Sequence, residues 1–220
     1  MLDNINVLAI FMLMLKLMQA TMLAAGISSL LQFRRLSPAL RYLAGLIWFG
    51  LLLETVSGVL AFQHIPNLFL GPLDSAAAVL LLSLVYRRAL QSAAFTRVQP
   101  WLAGAFVLYA GVSGLVFPEA TRFKPMLQVV ECLLVLLLVV LYFRKLLNEL
   151  VVQRLTRDSM FWVSTGLLLY YLGKLQISLF SNYLMQYSKQ FNIAVWTVHT
   201  LLLAVMFGCF TVALWMRPQK

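Results

Sequence analysis

Five ionisable residues stand inside stretches of chain that are otherwise apolar: Lys16, Glu54, Glu131, Lys174 and His199. A Lys or an acidic residue near the centre of a bilayer costs roughly 2.5–3.5 kcal/mol on insertion scales, so such groups are expected to face a bundle interior and to pair. The charges balance, with two lysines against two glutamates. Their neighbours at helical spacing are polar as well. Tyr170 lies four before Lys174, with Ser178 and Ser181 four and seven after it. Asn192 and Trp196 share a helical face with His199, Gln128 precedes Glu131 by three, Gln19 follows Lys16 by three, and Ser57 follows Glu54 by three.

Two kinds of chemistry fit these stripes. One is structural: buried Glu–Lys pairs fix helix register. The other is a hydrated or ligand-filled cavity lined by Lys16, Glu54, Glu131, Lys174, His199, Tyr170, Trp196, Ser178 and Asn192. Equal estimated depth favours Glu54 as the partner of Lys174, with Glu131 as the alternative. One histidine with two glutamates is a poor metal set without a second histidine, so neither a metal nor a cofactor is expected. HExxH, GxSxG and Walker patterns are absent from the sequence, and no catalytic residue is assigned.

The elements that must position these groups follow from composition. The chain has 220 residues, of which 62% are hydrophobic and only 11% charged; its mean hydropathy is +0.90. A soluble domain carries about a quarter charged residues. Soluble enzymes, disordered chains and disulfide-stapled modules are therefore excluded, leaving an all-α polytopic membrane protein with a single domain over residues 1–220. A helix crosses the hydrocarbon core with roughly 20 apolar residues. Seven stretches meet that length, at about 5–31, 42–62, 70–87, 100–117, 125–145, 160–182 and 192–215.

Helix-start signals accompany them. Pro38, Pro100 and Pro125 are expected at first helical positions. Asp158-Ser159 is expected to cap the sixth helix, and the Pro72–Ser75 stretch the third. All seven prolines are expected at helix ends or in loops, so no broken helix of the transporter kind is foreseen. Gly104, Gly111 and Gly114, and the Ala20, Ala24, Ser28 series, read as close-packing positions. The first helix lacks a basic leading segment and is too long for a signal peptide, so it is expected to remain as a span. Cys132 and Cys209 lie in different helices and are not expected to pair.

Charge sets the orientation, because Lys and Arg are retained on the cytoplasmic side. Twelve of the seventeen basic residues fall on one side: Arg34, Arg35, Arg41, Arg87, Arg88, Arg97, Arg144, Lys145, Arg154, Arg157, Arg217 and Lys220. The other side has Arg122, Lys124 and Lys189. This predicts the N-terminus out and the C-terminus in. At about 1.5 Å per residue, Glu131, His199, Glu54, Lys174 and Lys16 then lie roughly 9–16 Å below the outer end of their helices, in one layer. The net charge of +10 is explained by loop anchors that meet anionic lipid; nucleic acid is not an expected partner. Trp101, Trp162 and Trp215 fall at the expected inner boundary. Phe143, Leu146, Leu147, Leu150, Val151 and Leu155 continue the fifth helix at helical spacing among basic residues, as an interfacial or partner-docking segment would.

The stretch Phe161-Trp162-Val163-Ser164-Thr165-Gly166-Leu167-Leu168-Leu169-Tyr170-Tyr171, with Asn182-Tyr183 and Trp196-Thr197-Val198-His199, resembles a group of bacterial seven-helix membrane proteins whose members are similar to the membrane sensor regions of histidine kinases. The resemblance covers roughly the final quarter of the chain. It implies a sensor role beside a cytoplasmic kinase, in a bacterial inner membrane. The helix count also resembles rhodopsins and G-protein-coupled receptors, but a retinal lysine would be expected in the seventh helix, which carries His199 instead. The leading expectation is a small receptor or sensor with a polar pocket in the outer half of the bundle, signalling to a cytoplasmic kinase or other partner. The alternatives are a membrane enzyme on a lipid or lipid-linked substrate, with Glu131, Glu54 or His199 as general base, and a small-solute transporter or channel. The oligomeric state is left open.

Overall fold

A backbone in hydrocarbon must satisfy its own polar groups, and a helix does so within one segment. The computed structural model describes residues 2–116, 125–149, 155–184 and 189–216, with side chains at 7–114, 125–148, 156–180 and 190–216. Among these residues the chain is all-α: α1 (Leu2–Gln32), α2 (Pro38–Phe62), α3 (Leu70–Leu90), α4 (Ala93–Val116), α5 (Pro125–Glu149), α6 (Ser159–Leu184) and α7 (Lys189–Trp215). Short 3-10 turns stand at Phe33–Arg35 and Leu155–Arg157. Five stretches are long and apolar enough to cross a membrane: Val7–Arg35, Pro38–Phe62, Leu70–Leu90, Pro125–Asn148 and Gln190–Trp215. The protein is an integral membrane protein, and its outward side chains agree. Leu13, Leu31, Leu52, Trp101 and Leu108 are exposed apolar groups on helix faces, where lipid rather than water is the solvent.

Capping explains several boundaries. Ser37 accepts from the Leu40 N–H and Pro38 follows it at the first position of α2. Asp158 accepts from the Met160 N–H to start α6. One expected start and one expected cap differ. α4 begins at Ala93, where Ser92 receives the Phe95 and Thr96 N–H groups, so Pro100 lies inside the helix. A proline there costs the bond to the carbonyl four residues back, but it does not end a helix whose start is already capped two turns earlier. α3 begins at Leu70 without a side-chain cap; its first turn is closed by Leu70 and Gly71 N–H groups on the Asn67 and Leu68 carbonyls. The Pro72–Ser75 stretch thus lies within the helix, which frees Ser75 for a tertiary bond.

Six helices close a ring in the order α1, α2, α3, α5, α6, α7, and α7 returns to α1. α4 stands outside that ring, packed chiefly on α3. Its buried face is Gln99, Ala103, Phe106 and Ala110. A Cβ at Gly104 or Gly111 would meet nothing within 4 Å, and one at Gly114 only the Pro72 side chain at 3.9 Å. These glycines are therefore not close-packing positions, because small residues on a helix mark a contact only when they share the phase of its buried face. The same correction holds in α1, where Ala20 and Ala24 are exposed while Ala25, Ser28 and Ser29 are buried. Close approaches occur at Gly173, whose Cβ would lie 2.2 Å from the Leu202 side chain, at Gly26, whose Cβ would lie 2.7 Å from Leu51, and at Gly166, whose Cβ would lie 2.9 Å from the Cys209 side chain and 3.3 Å from Met206 backbone.

Polar side chains tie the helices at the basic end. Trp215 donates to Ser28 at 2.8 Å and Trp48 to Ser29 at 3.0 Å. Lys145 of α5 donates to the Ala89 and Leu90 carbonyls at 3.1 and 2.9 Å, which caps the C-terminus of α3 with a positive charge. Tyr142 donates to Asp158, and Tyr86 pairs with Ser164. The expected continuation of α5 is present to Glu149; Leu150, Val151 and the Leu155 side chain lie outside the described residues. Both cysteines are free.

Candidate functional site

The ion pair is built by α5 and α6, two helices that are neighbours in the ring. Glu131 sits two turns into α5 and is completely buried, and Lys174 of α6 is 7% exposed. The lysine Nζ lies 2.8 and 2.9 Å from the two carboxylate oxygens. Tyr171, one turn before the lysine on α6, donates to Oε1 at 3.0 Å, and Ser75 of α3 donates to Oε2 at 2.7 Å. Each carboxylate oxygen therefore accepts two hydrogen bonds. That saturation is what makes a buried charge tolerable. The lysine also lies over the Tyr170 and Tyr171 rings at 5.8 and 5.4 Å, a second source of stabilisation for its charge. One turn further along, Ser178 donates to Gln128 at 3.0 Å, extending the α5–α6 seam.

The partner of Lys174 is thus Glu131, not Glu54. The Glu54 pairing rests on depth along a helix, and depth carries no information about azimuth. α5 and α6 are neighbours in the ring, whereas α2 is not adjacent to α6.

Beside this pair lies a cavity of about 370 Å³. Its wall includes Glu54 and Ser57 of α2, Asp74 and Ser75 of α3, Gln128 of α5, Tyr170, Tyr171 and Lys174 of α6, and Trp196 and His199 of α7. Asn67 and Leu68 of the α2–α3 connection also line it, which places the cavity towards the end of the bundle opposite the basic residues. Met18, Met22, Met206, Phe207 and Phe210 give it an apolar side. Asn67 is held in place by a 2.6 Å bond to the Ser57 hydroxyl. His199 stacks between Trp196 and Tyr170, with ring centroids at 5.4 and 5.5 Å, and its Nδ1 is buried without a hydrogen-bond partner.

Of the expected site residues, Glu54, Lys174, Tyr170, Trp196 and His199 line this one cavity, and Glu131 stands directly behind its wall. Ser178 belongs to the α5–α6 seam rather than the cavity, and Asn192 does not line it. Lys16 is exposed on α1 and is not part of the wall; the cavity-facing residues of that helix are Met18 and Met22. The phase of α1 therefore turns Lys16 outward. Asp74 and Ser75 were missed because they read as a cap. The available signal was a carboxyl group at the fifth position of an apolar helix, one full turn from its start.

Among the described residues no group of three or more His, Cys, Asp or Glu side chains could hold a metal. Lys174 is the one basic residue in the described wall, and its charge is neutralised by Glu131. Glu54 and Asp74 have no hydrogen-bond or ion-pair partner among the described residues. The arrangement can bind and orient a small polar molecule. No family model, curated protein or solved structure matches the chain.

Proposed function

We propose that the protein is a small seven-span receptor or sensor of the bacterial inner membrane, with its N-terminus outside, whose outward cavity binds a small solute and whose basic end engages a cytoplasmic signalling partner. In this reading α4 and α6 cross the bilayer with the five more apolar helices. α6 does so because its lysine is neutralised inside the ring. The observation that carries the reading is the cavity itself, polar on one side and apolar on the other, at the end of the bundle away from the basic groups. Most ligand sites in helix bundles have this character. The ring bonds at the basic end link the ends of α1, α2, α3, α5, α6 and α7, so a shift of α6 or α7 at the cavity is transmitted to the cytoplasmic face.

Orientation is tested by placing single cysteines at His64 and at Ala93 in a chain whose own two cysteines are replaced. An impermeant thiol reagent on intact cells is expected to label position 64 and not 93; the reverse pattern overturns the orientation. Partnership is tested by a photo-crosslinking residue at Leu147, an exposed position on α5 near the basic end. Cross-linking in living cells is expected to give an adduct with a cytoplasmic kinase or other signalling protein. Adducts with lipid alone refute the receptor reading. Turnover of membrane lipid by the purified protein, or solute uptake into proteoliposomes, would establish the enzyme or transporter alternative instead.

A further inference from the structure

Resting on the receptor reading, we infer that the cavity ligand is a small organic cation: an ammonium head with a compact apolar body. Two independent features converge on this class. The first is charge. The one lysine in the wall is held by two bonds to Glu131, so it is not available to an anionic ligand. Glu54 and Asp74, from α2 and α3, line the cavity and have no hydrogen-bond or ion-pair partner among the described residues. A carboxylate lining a cavity is stabilised when a cation shares that space.

The second is the aromatic wall. Tyr170 and Trp196 line the cavity from α6 and α7, and aromatic faces attract ammonium groups through the ring quadrupole, Trp most of all. The same wall already receives one ammonium, that of Lys174 over Tyr170. The volume of about 370 Å³ is at the small end of ligand pockets. Met18, Met22, Met206 and Phe207 offer a soft apolar surface for the body of the ligand.

The test uses three probes of matched size and different charge: phenethylammonium, 2-phenylethanol and 3-phenylpropionate. Each is titrated against the purified full chain in phosphatidylcholine nanodiscs, with binding read by calorimetry and melting temperature read in parallel. Phenethylammonium is expected to bind saturably and at least tenfold more tightly than either competitor. Glu54→Gln and Asp74→Asn are each expected to weaken it tenfold or more. Neither carboxyl has a hydrogen-bond or ion-pair partner among the described residues to lose, so an unchanged melting temperature without probe shows that the variants are folded. If a variant melts low, Trp196→Leu supplies an independent test of the same wall and is also expected to weaken the cation selectively. Equal binding of the three probes, or preference for 3-phenylpropionate, overturns the cation assignment, as does binding of none. The receptor reading falls separately, on the cross-linking result at Leu147.

Discussion

Removing either partner of the Glu131–Lys174 pair is expected to be among the most damaging polar substitutions in the protein. Glu131→Gln leaves an ammonium that is 7% exposed facing an amide in place of a carboxylate. The amide can still accept on one oxygen, but its NH2 group confronts donors from Ser75 or from Lys174 itself, since both carboxylate oxygens now accept. Lys174→Met leaves a fully buried carboxylate held only by Ser75 and Tyr171. Breaking a buried pair costs about 3–5 kcal/mol, because the remaining charge is uncompensated. For chains of 150–250 residues each kcal/mol corresponds to about 2–4 °C in Tm. Each single variant is therefore expected to melt roughly 6–20 °C lower in detergent. The double variant removes both charges and is expected to recover most of the loss, with a coupling energy of at least ~2 kcal/mol. A parallel cycle with Glu54→Gln and Lys174→Met is expected to be additive, because Glu54 makes no ion pair among the described residues. The assay is thermal unfolding followed by circular dichroism or by cysteine reactivity. Additive losses in the Glu131–Lys174 cycle would refute the pairing, and strong coupling in the Glu54 cycle would assign the lysine to the other carboxylate.

Two further substitutions read the helix packing. Gly166→Ala places a methyl 2.9 Å from the Cys209 side chain and 3.3 Å from Met206 backbone, so α6 and α7 must separate; it is expected to cost about 1–3 kcal/mol and to lower Tm. Gly104→Ala, with nothing within 4 Å of the new Cβ, is expected to be neutral or to stabilise by up to ~1 kcal/mol through helix propensity, and a loss comparable to that of Gly166→Ala would contradict the placement of α4. Lys145→Met removes the charged cap on the Ala89 and Leu90 carbonyls and is expected to cost about 1–2 kcal/mol. Faster hydrogen exchange at the last turn of α3 would accompany it, and an unchanged exchange rate there would show that the cap does not hold that turn.

The helices were legible because their signals are local. An apolar run long enough to cross a bilayer, a Ser before a proline, and an Asp two residues before the first helical N–H each act within a few residues, and α2, α5 and α6 begin at or next to the expected positions. Errors arose where a local signal was true but incomplete. Pro100 is compatible with a helix start, yet Ser92 provides an earlier one. Asp74 and Ser75 resemble a cap, yet Ser75 spends its hydroxyl on Glu131.

The amino-acid sequence by itself determined the class of the molecule: an all-α membrane protein with basic groups at one end and a short set of ionisable residues inside apolar stretches, of which Glu131 and Lys174 are buried, since charge in hydrocarbon is too costly to leave without a partner. It also determined that Lys174 must be paired. Which carboxylate pairs with it was decided only by tertiary structure, as were the outward turn of Lys16, the inclusion of Asp74 in the cavity and the exclusion of α4 from the ring. Each of these depends on the azimuth of a helix and on which helices are neighbours. Hydrophobic periodicity cannot supply that information here, because lipid-facing and core-facing side chains are both apolar, and the close contacts that set the rotation of each helix come from residues far apart in the chain.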